Sequence, residues 1–210
     1  MDAQISLAEI AGMIKKCEKC DLAVSRKNTV PGAGPEDSEI MLIGEGPGFH
    51  ENEQGLPFVG AAGNFLTQLL NDSGVPRKTV FITNVVKCRP PGNRDPREEE
   101  LKACSEYLEK QIETIDPLII VTLGRFSMAR YFENARISNI HGKAKWLGDH
   151  LIVPMYHPAA ALHQPKLRSV IIEDFSQLPG LIEQAKKRTA DSGKYINGKY
   201  EKDATQLSFF

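Results

Sequence analysis

Four short aliphatic runs constrain this chain more than any other feature: Glu39 to Ile43, Val80 to Thr83, Leu118 to Leu123 and Leu151 to Met155. Each has the length of a buried strand and lacks the apolar–polar alternation of a strand with one wet face. Between them lie helical patterns: Ala61 to Leu70, stopped near Gly74; Glu98 to Ile115, opened by Asp95-Pro96; and Arg125 to Phe132, after Gly124. Strands that alternate with helices form a parallel sheet covered on both faces. The expected fold class is therefore α/β, a three-layer α/β/α sandwich around a central four-stranded parallel sheet. A further helix opens at Ser6-Leu7-Ala8-Glu9, a capping box, with Ile10 and Ile14 on one face.

With 210 residues, 41% hydrophobic and 25% charged, the chain can bury a substantial core and is not disordered, collagen-like or coiled-coil. One domain over 1–185 is expected. A flexible tail over 186–210 should follow, because from Lys186 onward the sequence is polar, rich in lysine and glycine, and without apolar period. The longest apolar stretch is too short for a bilayer, and the N-terminus lacks the basic and apolar blocks of a signal peptide. A cytoplasmic monomer without membrane contact is expected. Lys plus Arg number 26 against 27 Asp plus Glu, so nucleic-acid binding would depend on local basic patches.

The four cysteines, Cys17, Cys20, Cys88 and Cys104, include one Cys-x-x-Cys pair. In a reducing compartment such a set points to metal or redox chemistry rather than to disulfides. A thioredoxin-like pair would sit between a strand and a helix, whereas Cys17 and Cys20 follow the N-terminal helix, which favours metal ligation. Cys104 also lies on the apolar stripe of Leu101, Leu108, Ile112 and Ile115, where a cysteine can serve as a small hydrophobe. Four thiolates suit zinc and iron–sulfur centres alike, although the wide gap between Cys88 and Cys104 matches a two-knuckle zinc ribbon poorly.

In parallel α/β sheets, ligands bind beyond the carboxyl ends of the strands. The unusual residues of this sequence fall there. The first run leads into Gly44-Glu45-Gly46-Pro47-Gly48, the second into Asn84 and then Cys88, the third into Gly124, and the fourth into Tyr156-His157-Pro158. The glycines let backbone approach a ligand, with Glu45 at the mouth. Neither a Walker loop nor Gly-x-Gly-x-x-Gly is present, which argues against nucleotide-phosphate chemistry. Phe58 is either a core aromatic or a stacking platform. Asn84 offers a donor beside an acceptor, the complement of the N3–H and O4 edge of uracil and a mismatch for cytosine; the alternative is a turn cap. His157 is either structural or a donor to a developing oxyanion.

Together, Gly44 to Gly48, Gly55 to Gly63 (GLPFVGAAG), Thr83 to Pro91 (TNVVKCRPP), His157-Pro158 and the four cysteines resemble the family 4 uracil-DNA glycosylases, the iron–sulfur branch of that superfamily. The resemblance spans roughly Ala8 to Gln184. It implies a base-excision-repair hydrolase that flips uracil out of single- or double-stranded DNA and hydrolyses its N-glycosidic bond, leaving an abasic site. It further implies a 4Fe-4S cluster on Cys17, Cys20, Cys88 and Cys104, catalytic roles for Glu45 and His157, and uracil contacts from Gly46, Phe58, Asn84 and His157. The position after Glu51, often Asp in this family, is Asn52 here, which weakens a scheme resting the key carboxylate on that pair. After Cys88 the chain lacks the basic insert of the branch that is trapped covalently on DNA, so ordinary turnover is expected.

Leu162 is a candidate wedge to fill the base stack after flipping, or else a helix-core leucine. Lys87, Arg89, Arg94, Lys143, Lys145, Lys166 and Arg168 are candidates for gripping phosphates, against a merely solvated charged surface. Gln206-Leu207-Ser208-Phe209-Phe210 resembles the sliding-clamp-binding peptides of repair proteins, with Phe209 where Leu is commoner in the bacterial form; the alternative is an unstructured end. Two other functions stay open: excision of other deaminated bases such as hypoxanthine or xanthine, and a non-catalytic iron–sulfur nucleic-acid-binding module.

Overall fold

The aliphatic runs form β1 (Ile40–Gly44), β2 (Val80–Asn84), β3 (Ile119–Leu123) and, after a short strand β4 (Lys145–Leu147), β5 (His150–Met155) in a computed structural model that describes residues 5–191, 195–196 and 199–200. The sheet order is β2-β1-β3-β5-β4, parallel except for β4, which runs antiparallel on the β5 edge. The α/β architecture expected from sequence is present, with a fifth strand added to the four parallel ones. That strand is three residues long and half-exposed, so it carries no buried-run signal. Its local cue is Gly148-Asp149, a two-residue hairpin loop between Leu147 and His150, with Gly148 at φ 60°.

The helices are α1 (Leu7–Lys15), α2 (Leu22–Ser25), α3 (Phe49–Gln54), α4 (Ala61–Asp72), α5 (Glu98–Ile115), α6 (Arg125–Ala129), α7 (Ile137–Ile140), α8 (Ala159–His163), α9 (Leu167–Ser176) and α10 (Leu178–Asp191). Side chains alternate along each strand, so every strand feeds two cores. Ile40, Leu42, Val80, Ile82, Val121 and Val153 meet Leu66, Leu69 and Leu70 of α4 with Ile171, Phe175 and Leu178. Met41, Ile43, Phe81, Ile120 and Ile152 meet Leu108 and Ile115 of α5 on the other face. A third cluster joins Ile10 and Ile14 of α1 to Leu22, Val86, Cys88, Cys104 and Tyr107. The capping box of α1 forms as expected, with Ser6 Oγ accepting from the Glu9 N–H and Glu9 accepting from the Ser6 N–H.

Two boundaries differ from the sequence reading by three residues or more. The helix after Gly124 ends at Ala129 rather than Phe132. The last long helix runs on to Asp191, past the expected domain end at 185, because Ala185 and Thr189 form a buried pair that the lysine-rich composition hides. The strands Tyr195–Ile196 and Lys199–Tyr200 then pair antiparallel. The clamp-like peptide 206–210 lies outside the described residues. Among those residues, no helix is long and apolar enough to cross a membrane.

Candidate active site and cysteine cavity

The chain leaves β1 toward β2 on one side and later builds β3 and β5 on the other, so the order of connection reverses between β1 and β3. Such a reversal opens a crevice beyond the carboxyl ends of the strands. Gly44, Asn84, Gly124 and His157 all stand at those ends.

Gly44 and Asn84 are partners across the β1–β2 ladder and therefore share the α4-facing side of the sheet. A Cβ on Gly44 would lie 2.4 Å from Asn84 Oδ1 and 2.8 Å from Phe58 Cζ, so the missing side chain is what lets the carboxamide and the aromatic ring meet. Asn84 is only 1% exposed, and its Oδ1 has no partner among the described residues. A buried unpaired acceptor costs about 1–3 kcal/mol, and a water or a ligand can supply its partner.

Phe58 sits at φ 52°, a conformation costing a non-glycine residue about 1–2 kcal/mol. The surroundings hold it there. Glu51, on α3, accepts from the N–H groups of Val59 and Gly60 at 2.8 and 2.9 Å and of Gly48 at 3.1 Å, tying the glycine-rich loop after β1 to the Phe58 loop. Arg77 donates to the Pro57 carbonyl at 2.8 Å and to Thr67 Oγ1 at 2.9 Å. Gly63 allows the closest approach: a Cβ there would fall 2.0 Å from the Phe58 carbonyl oxygen. Glu51 is thus a brace between loops, and Asn52 is buried and accepts from the Lys27 N–H. Sequence reading missed both Glu51 and Arg77 as supports. The Gly48-x-x-Glu51 spacing at a helix start signals the first; nothing in the sequence signals the second.

His157 follows β5, with its ring nearly parallel to that of Phe58 and 5.4 Å from it between centroids. Its Nδ1 accepts from the Ala159 N–H at 3.1 Å, which leaves Nε2 to carry the proton. Burial pushes the imidazole down to about 4, against a smaller upward pull from Glu51. At neutral pH it is therefore an uncharged N–H donor. Glu45 is half-buried in the rim loop after β1, and its carboxyl is pushed up by burial and by Asp95, with Arg125 pulling the other way. Arg125 and Asp95 form an ion pair. Gly46 lies against Val86 and Pro90, and among the described residues its N–H donates to no backbone group.

Leu162 is 48% exposed on α8, just beyond His157-Pro158, and is not a helix-core leucine. Lys87 does not grip phosphate: it is 1% exposed, and its Nζ donates to Thr83 Oγ1, the Asn84 carbonyl and Gln111 Oε1 at 2.7–2.8 Å. Burial pushes it down to about 7. Period and charge class cannot reveal a lysine that folds back beneath its own strand. Arg94 is held by both oxygens of buried Glu100, at 2.6 and 2.9 Å. Arg89 spreads over the exposed Phe49 ring, Arg168 over Phe65, while Lys143, Lys145 and Lys166 are exposed.

The four cysteines converge. Cys17 and Cys20, Cys88 and Cys104 line one small cavity with Ile14, Leu22, Arg26 and Tyr107. Burial raises the thiols of Cys20 and Cys88, and that of Cys104 to about 11. Arg26 Nη1 donates to the Cys17 carbonyl at 2.5 Å and lies 3.7 Å from Cys88 Sγ, and the Lys87 N–H donates to Cys104 Sγ at 3.3 Å. Among the described residues, no group of three or more His, Cys, Asp or Glu side chains is arranged to hold a metal ion. The donor set nevertheless fits a thiolate-bound centre: four soft sulfurs, an apolar lining, and N–H groups aimed at two of them.

Comparison with known proteins agrees with this geometry. The family model described as the uracil DNA glycosylase superfamily matches residues 31–176. The type-4 uracil-DNA glycosylase of Saccharolobus solfataricus is 47% identical over 199 residues, 90% of this chain and 92% of that protein. The type-4 enzyme of Sulfurisphaera tokodaii is 48% identical over 92% of each, and that of Thermotoga maritima 41% identical over 83% of this chain and 94% of its own. A parallel sheet whose rim gathers Phe58, Asn84 and His157, matched along nearly its whole length by these relatives, leaves one assignment: the chain belongs to the uracil-DNA glycosylase superfamily, in its type-4 branch.

Proposed function

We propose that this protein removes uracil from DNA by hydrolysing the N-glycosidic bond, leaving an abasic site for base excision repair. The observation that carries the reading is the meeting of the Asn84 carboxamide and the Phe58 ring over the bare Gly44, with the Asn84 acceptor unpaired. Uracil in a duplex is out of reach, so it must be unstacked and turned into the pocket at a cost of a few kcal/mol. Stacking on Phe58 and paired hydrogen bonds to Asn84 offset that cost. A fixed carboxamide rejects cytosine, whose edge presents the opposite donor and acceptor order.

As the bond from N1 to C1′ breaks, its electron pair goes to the ring and positive charge develops on the sugar. The neutral His157 Nε2–H donates to the oxyanion forming at uracil O2, and the Glu45 carboxylate faces the cationic sugar. Water then adds to C1′ and gives up a proton to Glu45, and uracil leaves as an anion that takes a proton from solvent. The Gly46 N–H is available to the base. Leu162, exposed beside the mouth, fills the vacated stack. Arg89, Lys145, Lys166 and Arg168 grip phosphates, whereas Lys87 and Arg94 are engaged internally.

Cys17, Cys20, Cys88 and Cys104 are assigned as ligands of a 4Fe-4S cluster, supported by their shared cavity and the donors to their sulfurs. Bound there, the cluster supplies a cross-link between the N-terminal arm and the loop after β2. Thiolates kept reduced support a cytoplasmic setting. The peptide 206–210 is assigned to a sliding clamp, and deleting it should abolish clamp affinity without slowing excision.

The test is excision from oligonucleotides bearing one uracil, hypoxanthine or xanthine, single- and double-stranded, read as alkali-labile breaks, with iron and acid-labile sulfide measured on anaerobically purified protein. Breaks at uracil with about four irons per chain are expected. Breaks only at the purines, or tight binding without breaks, would replace the reading with another base or with a binding module.

A further inference from the structure

Asn84 reads a base with a carboxamide whose oxygen no described residue holds. That Oδ1 is buried without a partner among the described residues, so packing and the backbone that carries it orient this end of the side chain. Asn84 ends the edge strand β2: the Val85 and Val86 N–H groups after it go on donating to the Gly44 and Glu45 carbonyls, at 3.0 and 3.1 Å, and the Asn84 carbonyl is left for a side chain. Lys87 supplies the missing partner. Its Nζ reaches back to the Asn84 carbonyl at 2.8 Å, and its other protons go to Thr83 Oγ1 and Gln111 Oε1 at 2.7 Å each.

The three acceptors are themselves fixed. Thr83 Oγ1 and Gln111 Nε2 both donate to the Pro31 carbonyl, at 3.0 and 2.6 Å, so each turns an oxygen toward Lys87. An ammonium has three N–H donors, and three acceptors surround it. The main chain of the same residue faces the other way: the Lys87 N–H donates to Cys104 Sγ, and Cys88 follows directly. One residue therefore grips the base-reading strand end with its side chain and the cysteine cavity with its backbone.

We propose that Lys87 is the positioning residue of the uracil pocket, fixing the Asn84 carboxamide and coupling its alignment to the cysteine centre. The inference rests on the uracil-excising reading and extends it to a residue that touches neither base nor sugar. A lysine whose side chain merely filled space would be replaceable by methionine, which has similar length and no donors. A positioning lysine would not be, because the Asn84 carbonyl and two further acceptors would lose their partner in a dry site.

The experiment compares full-length wild type with Lys87→Met and Lys87→Arg. Single-turnover excision from uracil- and cytosine-containing oligonucleotides is measured with iron content, Tm, and hydrogen–deuterium exchange of the peptide spanning 83–88. In Lys87→Met, uracil excision should fall about 10- to 100-fold, and the preference over cytosine should narrow. Exchange at Val85 and Val86 should accelerate while β3 and β5 stay protected, and the affinity for DNA should hold. Lys87→Arg, which keeps the donors, should recover part of the rate. A Lys87→Met protein with wild-type rate, selectivity and exchange overturns the proposal. So does one that loses rate only in proportion to lost iron, since the lysine would then act on the cysteine centre alone. Should Lys87→Met fail to fold, Thr83→Val and Gln111→Leu each remove one acceptor, and unchanged selectivity in both overturns it as well. A wild type that leaves uracil uncut defeats the functional reading instead, whatever the variants do.

Discussion

Adding one methyl group at Gly44 tests the base pocket most directly. In Gly44→Ala the new Cβ would stand 2.4 Å from Asn84 Oδ1 and 2.8 Å from Phe58 Cζ, where ordinary contact begins at 3.4 Å. Asn84 Oδ1 must therefore retreat by about 1 Å, and the Phe58 ring by somewhat more than half of that. The ring cannot swing freely, because Glu51, Arg77 and Gly63 fix its backbone in a left-handed conformation. Overpacking of this kind costs about 1–3 kcal/mol of stability, and for a chain of this size each kcal/mol lowers Tm by about 2–4 °C. Displacing a reading group by about 1 Å costs on the order of 100-fold in rate. Single-turnover excision from a single-stranded uracil oligonucleotide, well below the variant's Tm, should show that loss. Leu69→Ala serves as the control: a buried α4 leucine remote from the strand ends, whose removal costs about 2–5 kcal/mol yet should leave the rate near wild type. A folded Gly44→Ala protein with the wild-type rate would refute the argument that Asn84 and Phe58 share a pocket over that glycine.

Asn84→Asp should lose about 100-fold or more of uracil excision, because two acceptors cannot pair with the N3–H and O4 edge; competition between uracil and cytosine substrates measures it, and an unchanged rate moves base reading elsewhere. Glu45→Gln should cut single-turnover excision by about 100-fold. Its pH profile adds a second check: since burial raises the Glu45 carboxyl, the acid limb of the wild-type rate should lie above the ordinary carboxylate range and vanish in the variant. His157 makes a stability prediction. Its folded value is lowered from 6.5 to about 4, so between those values the unfolded chain binds a proton that the folded chain does not, and stability falls as pH drops through that window by at most about 3 kcal/mol. Urea midpoints at pH 7 and 4.5 for wild type and His157→Asn should show a smaller acid loss in the variant; equal losses would mean the ring is not held neutral.

The apolar runs and glycine punctuation were enough to place four parallel strands, to put Gly44, Glu45, Asn84 and His157 on one rim, and to single out four cysteines, because period, strand length and residue chemistry are local properties of a sequence. They did not reveal β4, whose exposed Lys145 and half-buried Trp146 and Leu147 owe their pairing to β5, or the two buried positions that carry α10 to Asp191. The supports were equally hidden. Glu51, Arg77 and Lys87 act on backbone groups up to 20 residues away in the chain, and only the closed fold brings those groups within hydrogen-bond reach. Lys87 shows the limit most sharply: its charge suggested a phosphate contact, and the packing of α5 against the sheet turned it inward. Sequence determined which chemical groups the rim would carry. Tertiary structure decided their exact separations and which charges were left facing solvent, since burial and long-range hydrogen bonding are properties of the assembled core and not of any segment.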